Sequence, residues 1–332
     1  MSRVRLALVL LVVAGDLRAQ TISATRAAVL LTLPAGTRAL ALGDAWGAIA
    51  DDETALFYQP AQLASVRTVA AGGSLQRYLA GTTLAAVAMA GPVARGTFAA
   101  GVRVLDYGSA PELTYSGGAD GTETGRTITA QDIALTFGYA LEWQAATASR
   151  RSGAAGPDSA ARWRAGATVT WVRQRVADIS GSSVAADLGI GYGASHGWQA
   201  GAALQNIGPS LTLGSASASL PLTWRVSAAA PERALTVDGT ARIRIVAELR
   251  EVSGAAMVGT LGSELVWAVR DPGIGLAARA AVATVRSGDA RRPLTAGGGL
   301  SLGRVTIDYA YEGFDIFGAT HRVGLRVTPG RR

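Results

Sequence analysis

RVTIDYAY, the stretch from Arg304 to Tyr311, divides its side chains between two surfaces. Val305, Ile307, Tyr309 and Tyr311 fall on one side; Thr306, Asp308 and Ala310 fall on the other. Successive residues of an extended chain point to opposite faces, so this period of two reads as a strand with one apolar and one mixed face. The division recurs upstream. From Arg242 to Arg250 the apolar set is Ile243, Ile245, Ala247 and Leu249, opposed by Arg242, Arg244, Val246, Glu248 and Arg250. From Asp132 to Leu141, Ile133, Leu135, Phe137, Tyr139 and Leu141 stand against Asp132, Ala134, Thr136, Gly138 and Ala140.

Two architectures share this pattern. In a soluble sandwich the apolar face is a dry core; in an outer-membrane barrel it meets lipid and the mixed face lines the lumen. Composition leans toward the second. Hydrophobic residues make up 49% of the chain and charged ones 17%, against roughly 25% charged in soluble domains. Beyond the N-terminus no apolar run reaches the roughly 20 residues that a spanning helix needs. The expected fold is all-β, an antiparallel transmembrane β-barrel.

Fourteen strands are read, at 66–77, 82–91, 95–105, 126–143, 162–173, 183–194, 197–206, 220–230, 235–251, 255–269, 274–286, 293–302, 304–311 and 321–328. Their even number and their lengths suit a single-chain barrel with tilted strands. Short turns such as Pro92–Ala94 and Arg270–Gly273 come after even-numbered strands, while the polar connection Asp106–Gly125 and the stretch Ile207–Ser219 come after odd ones. That alternation is the pattern of periplasmic turns and outer loops. The long stretch Gln144–Ala161 breaks it. Trp143, Trp163, Trp171, Trp198, Trp224 and Trp267 lie in or beside strands, several near strand ends, where a ring sits well at headgroup level.

The N-terminus carries Arg3 and Arg5 before the apolar run Leu6 to Ala14, and residues 1–19 read as a secretory signal peptide. Cysteine is absent, which excludes disulfides, thiolate metal sites and a lipidated cysteine. The net charge is +7 and every basic residue is arginine. A lipid-facing arginine near the midplane costs roughly 2–4 kcal/mol. Arg103, Arg225, Arg242, Arg244, Arg279 and Arg326, with Glu248 and Asp308 on the same mixed faces, are therefore assigned to the lumen. No basic cluster interleaves with aromatics, so a nucleic-acid partner is not expected.

Residues 20–64 differ from the barrel, residues 65–332. Gly36 to Leu63 reads GTRALALGDAWGAIADDETALFYQPAQL, with poor alternation. Asp51 or Asp52 suits a helix N-cap, and Pro60 stops that helix from continuing. A short helix is expected at Glu53 to Tyr58 and a second turn at Pro60 to Ala64. Irregular backbone cannot face lipid, so this segment belongs at the mouth or inside the lumen, as a hatch or plug.

Arg38, Gly43, Asp51, Asp52, Gln59, Pro60 and Ala61 fall on a pattern that resembles the N-terminal motif of the PorV/PorQ family, roughly GARALGMGGA, AxADD and ALYWNPAGL. Ile307-Asp308-Tyr309-Ala310-Tyr311 and Thr320-His321-Arg322-Val323-Gly324-Leu325 resemble its closing hairpin, DYAY and then THRIGL. The resemblance implies a fourteen-stranded FadL-like barrel with an N-terminal hatch, in the outer membrane of a Gram-negative cell. It further implies a part in type IX secretion, with a translocon, an attachment complex or secreted cargo as partners. Its FadL-type relatives instead pass hydrophobic ligands, and a purely structural barrel is a third possibility. Gln59 stands where the family usually has Asn, and Gln62 where it has Gly.

Enzymatic readings find little material. His196 and His321 are the only histidines, too few for a metal cluster. Asp51-Asp52-Glu53 lacks the ligand spacing of a calcium loop. Gly189-Ile190-Gly191-Tyr192-Gly193 lies on a strand with no helix after it and is no dinucleotide fingerprint. No cofactor is expected. Leu56, Phe57 and Trp46 are candidates for an apolar pocket beside the hatch, or for packing the hatch to the wall.

Overall fold

A computed structural model describes residues 26–114, 121–144, 161–194, 196–269, 273–285 and 290–329. The signal peptide read at 1–19 lies outside the described residues, as does nearly all of the stretch 144–161. Fourteen strands form the wall: β1 Ala70–Arg77, β2 Thr83–Val93, β3 Gly96–Thr114, β4 Thr122–Gln144, β5 Arg162–Val176, β6 Ile179–Gly193 and β7 Gln199–Ile207. The second half comprises β8 Thr223–Ala229, β9 Ala241–Val252, β10 Val258–Ala268, β11 Ile274–Ala283, β12 Arg291–Leu302, β13 Val305–Phe314 and β14 Gly318–Val327. Each pairs antiparallel with its sequence neighbours, and β1 pairs with β14 from Ala71↔Val327 to Arg77↔His321, so the sheet is a closed ring.

The exposure pattern inverts that of a soluble core. Phe137 on β4 is 54% exposed while Thr136 and Asp132 on the same strand are 1% and 0% exposed. On β9, Ile245 and Leu249 face out while Val246 and Glu248 are buried. On β13, Ile307 and Tyr309 face out and Asp308 and Ala310 face in. An apolar outside with a polar inside is what lipid on one face requires. Exposed Trp143, Trp198 and Trp267 lie towards one end of the barrel, where Trp163 also packs on Tyr192 at a ring distance of 4.8 Å. That end also receives the start of β1 and the finish of β14; we term it the near mouth, and the opposite end the far mouth.

Three expected connections differ. The stretch 106–125 is largely strand: β3 and β4 continue their ladder to Thr114↔Thr122, through two register shifts. Its polar composition reflects strands that are exposed on both faces beyond the wall. The stretch 207–219 holds a small hairpin, Leu211–Leu213 paired with Ala216–Ala218. The strand expected from residue 235 begins at Ala241; a turn and the two-residue strand Arg233–Ala234 precede it.

Candidate functional site: the occupied lumen

Residues 26–66 run through the lumen as a chain of short turns: Val29–Thr32, helix α1 Thr37–Ala41, Glu53–Phe57 and Pro60–Ser65. Helix α1 packs on β11 to β14, and the turn Pro60–Ser65 packs on β3 to β6. Gly43 ends α1 in the left-handed region, with φ of 63°, which only glycine adopts without cost. Its N–H returns to the Leu40 carbonyl at 2.9 Å, and Asp44 N–H reaches the Ala39 carbonyl at 2.9 Å, closing the last turn. Asp52 caps the next turn, its carboxylate accepting from Thr54 N–H at 3.0 Å.

On the α1 side the segment is held by charge. Arg38 donates twice to Glu264, at 2.7 Å through Nε and 2.7 Å through Nη2, and once to Asp51 at 2.6 Å. Arg279 donates to the same Glu264 at 2.7 Å and to Asp308 at 2.6 Å. Arg326 donates to Asp52 at 2.7 Å. A second group lies beside it: Arg225 donates to Glu248 at 2.6 Å, whose other oxygen accepts from Gly47 N–H at 2.9 Å. Arg250 donates to Asp44 at 3.0 Å, and Tyr58 O–H donates to the other Asp44 oxygen at 3.1 Å. Tyr58 in turn accepts from Ala35 N–H at 2.9 Å. The bidentate Arg38–Glu264 pair gives direction as well as attraction.

These contacts set the ionisation of the segment. Burial alone would lift Asp44, but Arg250 and Arg225 outweigh it and hold the carboxyl below the usual carboxylate range. Burial lowers the proton affinity of Arg38, and Asp51 and Glu264 more than restore it. Glu53 goes the other way. Burial, and then the nearby Asp52 charge, push it up to about 8, against the opposing pull of Arg326. Its Oε2 has no hydrogen-bond partner, and its carboxyl lies against Gly72 of β1.

On the opposite side the segment is held by shape. A Cβ on Gly166 of β5 would stand 2.5 Å from the Pro60 carbonyl, and one on Gly189 of β6 would strike the Gln59 side chain. Gly138 and Gly101 likewise give room to Leu56 and Phe57. Gln59 donates from one amide nitrogen to the Ile190 carbonyl at 3.0 Å and the Ala202 carbonyl at 2.8 Å, so it ties the turn to two wall strands. Ala61 is fully buried beside the same glycines. Gln62 accepts from Arg164 at 2.9 Å and donates to the Ala48 carbonyl at 2.9 Å. Leu56 and Trp46 pack among the wall residues Ala86, Ala88, Ala99 and Ala140, and Phe57 packs there too while bordering a small cavity of about 30 Å³ beside Glu53, Gly72 and Arg326.

A separate apolar chamber lies towards the far mouth. Leu84, Leu105, Ala134, Val172, Leu211 and Leu220 turn inward there, and Leu30 and Leu31 of the lumen segment fill it. Arg103 lies beside the chamber, 5% exposed, with its guanidinium 4.9 Å from the Phe57 ring centre. At the near mouth a cavity of about 380 Å³ is bordered by Arg38, Glu264, Glu232, Arg242 and Arg244. Arg244 meets Glu232 at 2.8 Å and Arg242 meets it at 3.4 Å. Arg242 shares the inward register of β9 with Glu248, but it stands at the rim with 60% of its side chain exposed. It is bathed by the mouth and takes no part in holding the segment.

Among the described residues no group of His, Cys, Asp and Glu has the arrangement of a metal site. His321 accepts or donates at 2.6 Å with Tyr309 on the neighbouring strand. Glu264, which joins Arg38 to Arg279, is not singled out by the sequence. Its signal is a lone acid on the mixed face of a strand whose other inward residues are small. Leu30 and Leu31 are equally silent, because a leucine pair before Pro34 has no periodicity to betray an inward role.

No family model matches the chain, and no curated protein matches it in sequence. Solved structures do match its fold. The Ralstonia pickettii toluene transporter TbuX aligns with 11% identity over 87% of this chain and 96% of that one, at a TM-score of 0.51. The P. putida toluene transporter TodX aligns with 10% identity over 88% of this chain and 99% of that one, at 0.51. A Pseudomonas aeruginosa FadL homologue aligns with 12% identity over 89% and 98%, at 0.50. The wall is a FadL-like fourteen-stranded barrel of the outer-membrane type.

Proposed function

We propose that this chain is a passive outer-membrane channel for small hydrophobic molecules, with residues 26–66 as its plug. The reading places the chain in the outer membrane, exported by the leader at residues 1–19, with 20–64 as the hatch and 65–332 as the barrel. The observation that carries it is the apolar chamber. Most of the lumen is crowded with paired charges, yet towards the far mouth one cluster of inward residues is leucine, valine and alanine, and two leucines of the chain's own N-terminal segment pack into it. A dry, side-chain-filled chamber offers an ion or a water-borne solute nothing, whereas it suits a ligand able to replace those leucines. The named FadL-like neighbours, two of them toluene transporters, support the same reading.

The resemblance to PorV/PorQ secretion components is the lesser reading. The motif residues Gly43, Asp52, Gln59, Pro60 and Ala61 are all spent on turns and on contacts with the lumen wall. None of these five is left to meet a translocon or cargo. Reconstituted barrel should give saturable uptake of a radiolabelled monoaromatic into liposomes, and loss of residues 26–33 should accelerate it. Uptake no faster than in empty liposomes, from protein that still migrates as a folded barrel without boiling, would end the channel reading. Stable co-purification with secretion components would then favour the alternative.

A further inference from the structure

The chamber is apolar on most sides but not on all. Asp132 of β4 is 0% exposed, and its Oδ2 accepts from Tyr107 O–H at 3.1 Å and from Gln174 at 3.4 Å. Its other oxygen, Oδ1, makes no hydrogen bond of ordinary length, although the Leu30 N–H of the lumen segment lies beside the carboxylate. Asp132 sits in register with Leu105 on one side and Gln174 on the other, so the acid is set into the leucine-lined wall. Two residues along β3 from Leu105, on the same face, Arg103 has an Nε without a partner.

What now fills this place is a piece of peptide backbone with leucine side chains. Ala28 N–H donates to Gln174 Oε1 at 3.4 Å, and the Leu30 carbonyl accepts from Arg103 at 3.5 Å. The occupant therefore presents apolar bulk plus one donor and one acceptor, with no net charge. A guest that takes its place must supply the same, or leave buried polar groups bare.

We propose that the chamber selects apolar molecules with a neutral hydrogen-bonding head, an amide or an alcohol, over plain hydrocarbons and over carboxylates. The proposal rests on the channel reading above and narrows its substrate class. A hydrocarbon strands Gln174 and Arg103, and a buried polar group left unpaired is penalised in full. A site built to hydrogen-bond its guest rejects the analogue that lacks the group. A carboxylate finds Arg103, but Asp187, a second buried acid on β6 whose oxygens accept from Thr168 and Asn206, already lies within the field of that guanidinium. Asp132, buried in the same wall with a carboxylate oxygen that no side chain answers, stands against an anionic head.

The test uses the full-length barrel in lipid nanodiscs and a hydrophobic fluorescent probe, displaced by decanamide, decanol, decane or decanoate. Decanamide and decanol should displace it at concentrations about tenfold below those of decane and decanoate, the scale of one net hydrogen bond. Asp132→Asn should bring decanoate close to decanol, and Gln174→Leu should bring decane close to decanamide. If Asp132→Asn does not fold, the wild-type order and Gln174→Leu decide. Decanoate or decane equal to decanamide on the wild type would overturn the head-group selection while leaving a hydrophobic channel in place. Failure of all four to displace the probe, or failure of the probe to bind a folded barrel, would overturn both.

Discussion

The two sides of the barrel hold the same inserted segment by opposite means. Along β9 to β14 the wall reaches inward with long charged side chains, and Arg38, Asp44 and Asp52 answer them. Along β3 to β6 the wall withdraws: Gly101, Gly138, Gly166 and Gly189 leave hollows into which Phe57, Leu56, Pro60 and Gln59 fit. Charge pairs tolerate small displacements but not the loss of a partner. Close backbone approach tolerates no added atom. The first side should therefore be sensitive to deletion and to pH, and the second to enlargement.

The sharpest way to break the charged side is Glu264→Ala. It strips both Arg38 and Arg279 of a buried partner, and one such loss costs about 3–5 kcal/mol. The expected outcome is a plug that opens in planar bilayers, seen as a rise in single-channel conductance with the barrel still folded. Unchanged conductance would place the grip elsewhere.

The next effect is a pH response of a few kcal/mol, centred on Glu53. Its carboxyl is held protonated up to about 8, against 4.5 when unfolded. A carboxyl that binds its proton more tightly folded than unfolded favours the seated segment at low pH. That advantage is lost as pH rises from about 4.5 to about 8, each pH unit in the window being worth about 1.4 kcal/mol before relaxation. Conductance should rise across this window, and Glu53→Gln should flatten the profile. A wild-type profile that is flat, or that rises toward acid, would contradict the assignment.

Enlarging the other side comes third. Gly166→Ala sets a methyl against the Pro60 backbone, and overpacking of this sort costs about 1–3 kcal/mol. The turn should shift rather than the wall, so acrylamide should quench the buried Trp46 more readily while strand content by circular dichroism is unchanged. Smallest is Asp51→Ala. Asp51 is 45% exposed on its side chain although it meets Arg38, and partly exposed pairs contribute about 0–1 kcal/mol. A conductance change as large as that of Glu264→Ala would show that Asp51, not Glu264, anchors the charged side.

The wall is legible in the sequence because lipid imposes a period of two on every strand. All fourteen expected strands overlap observed ones, and their inward faces result from the cost of bare charge in hydrocarbon. The stretch 106–125 reads as a loop because strands that leave the membrane lose their apolar face, and with it the only periodic signal. Helix α1 is silent for a related reason: five residues inside a lumen have no solvent side and so no amphipathic stripe. Among site residues, Asp52 announces itself as a helix cap, whereas Gly43 stands out in the sequence only through the motif resemblance. Glu264, Gln174 and Leu30 owe their roles to contacts between the lumen segment and the wall, far apart in the chain, that the local sequence does not encode.

Strand β14 has consequences for how such a molecule is made. It adds to β13 through a short turn, yet its other edge must find β1, which was synthesised first. Every other seam in the wall joins sequence neighbours, so the chain can accumulate hairpin by hairpin. The last seam closes a loop as long as the barrel itself and carries the largest entropic penalty of closure. Until its ten residues arrive, β1 and β13 are both open edges, ready to pair with the wrong chain. The lumen segment leads directly into β1, so it lies beside one of those edges throughout. A chain shortened by that strand would lose two seams at once, and would meet the cell as an aggregating sheet rather than as a leaky pore.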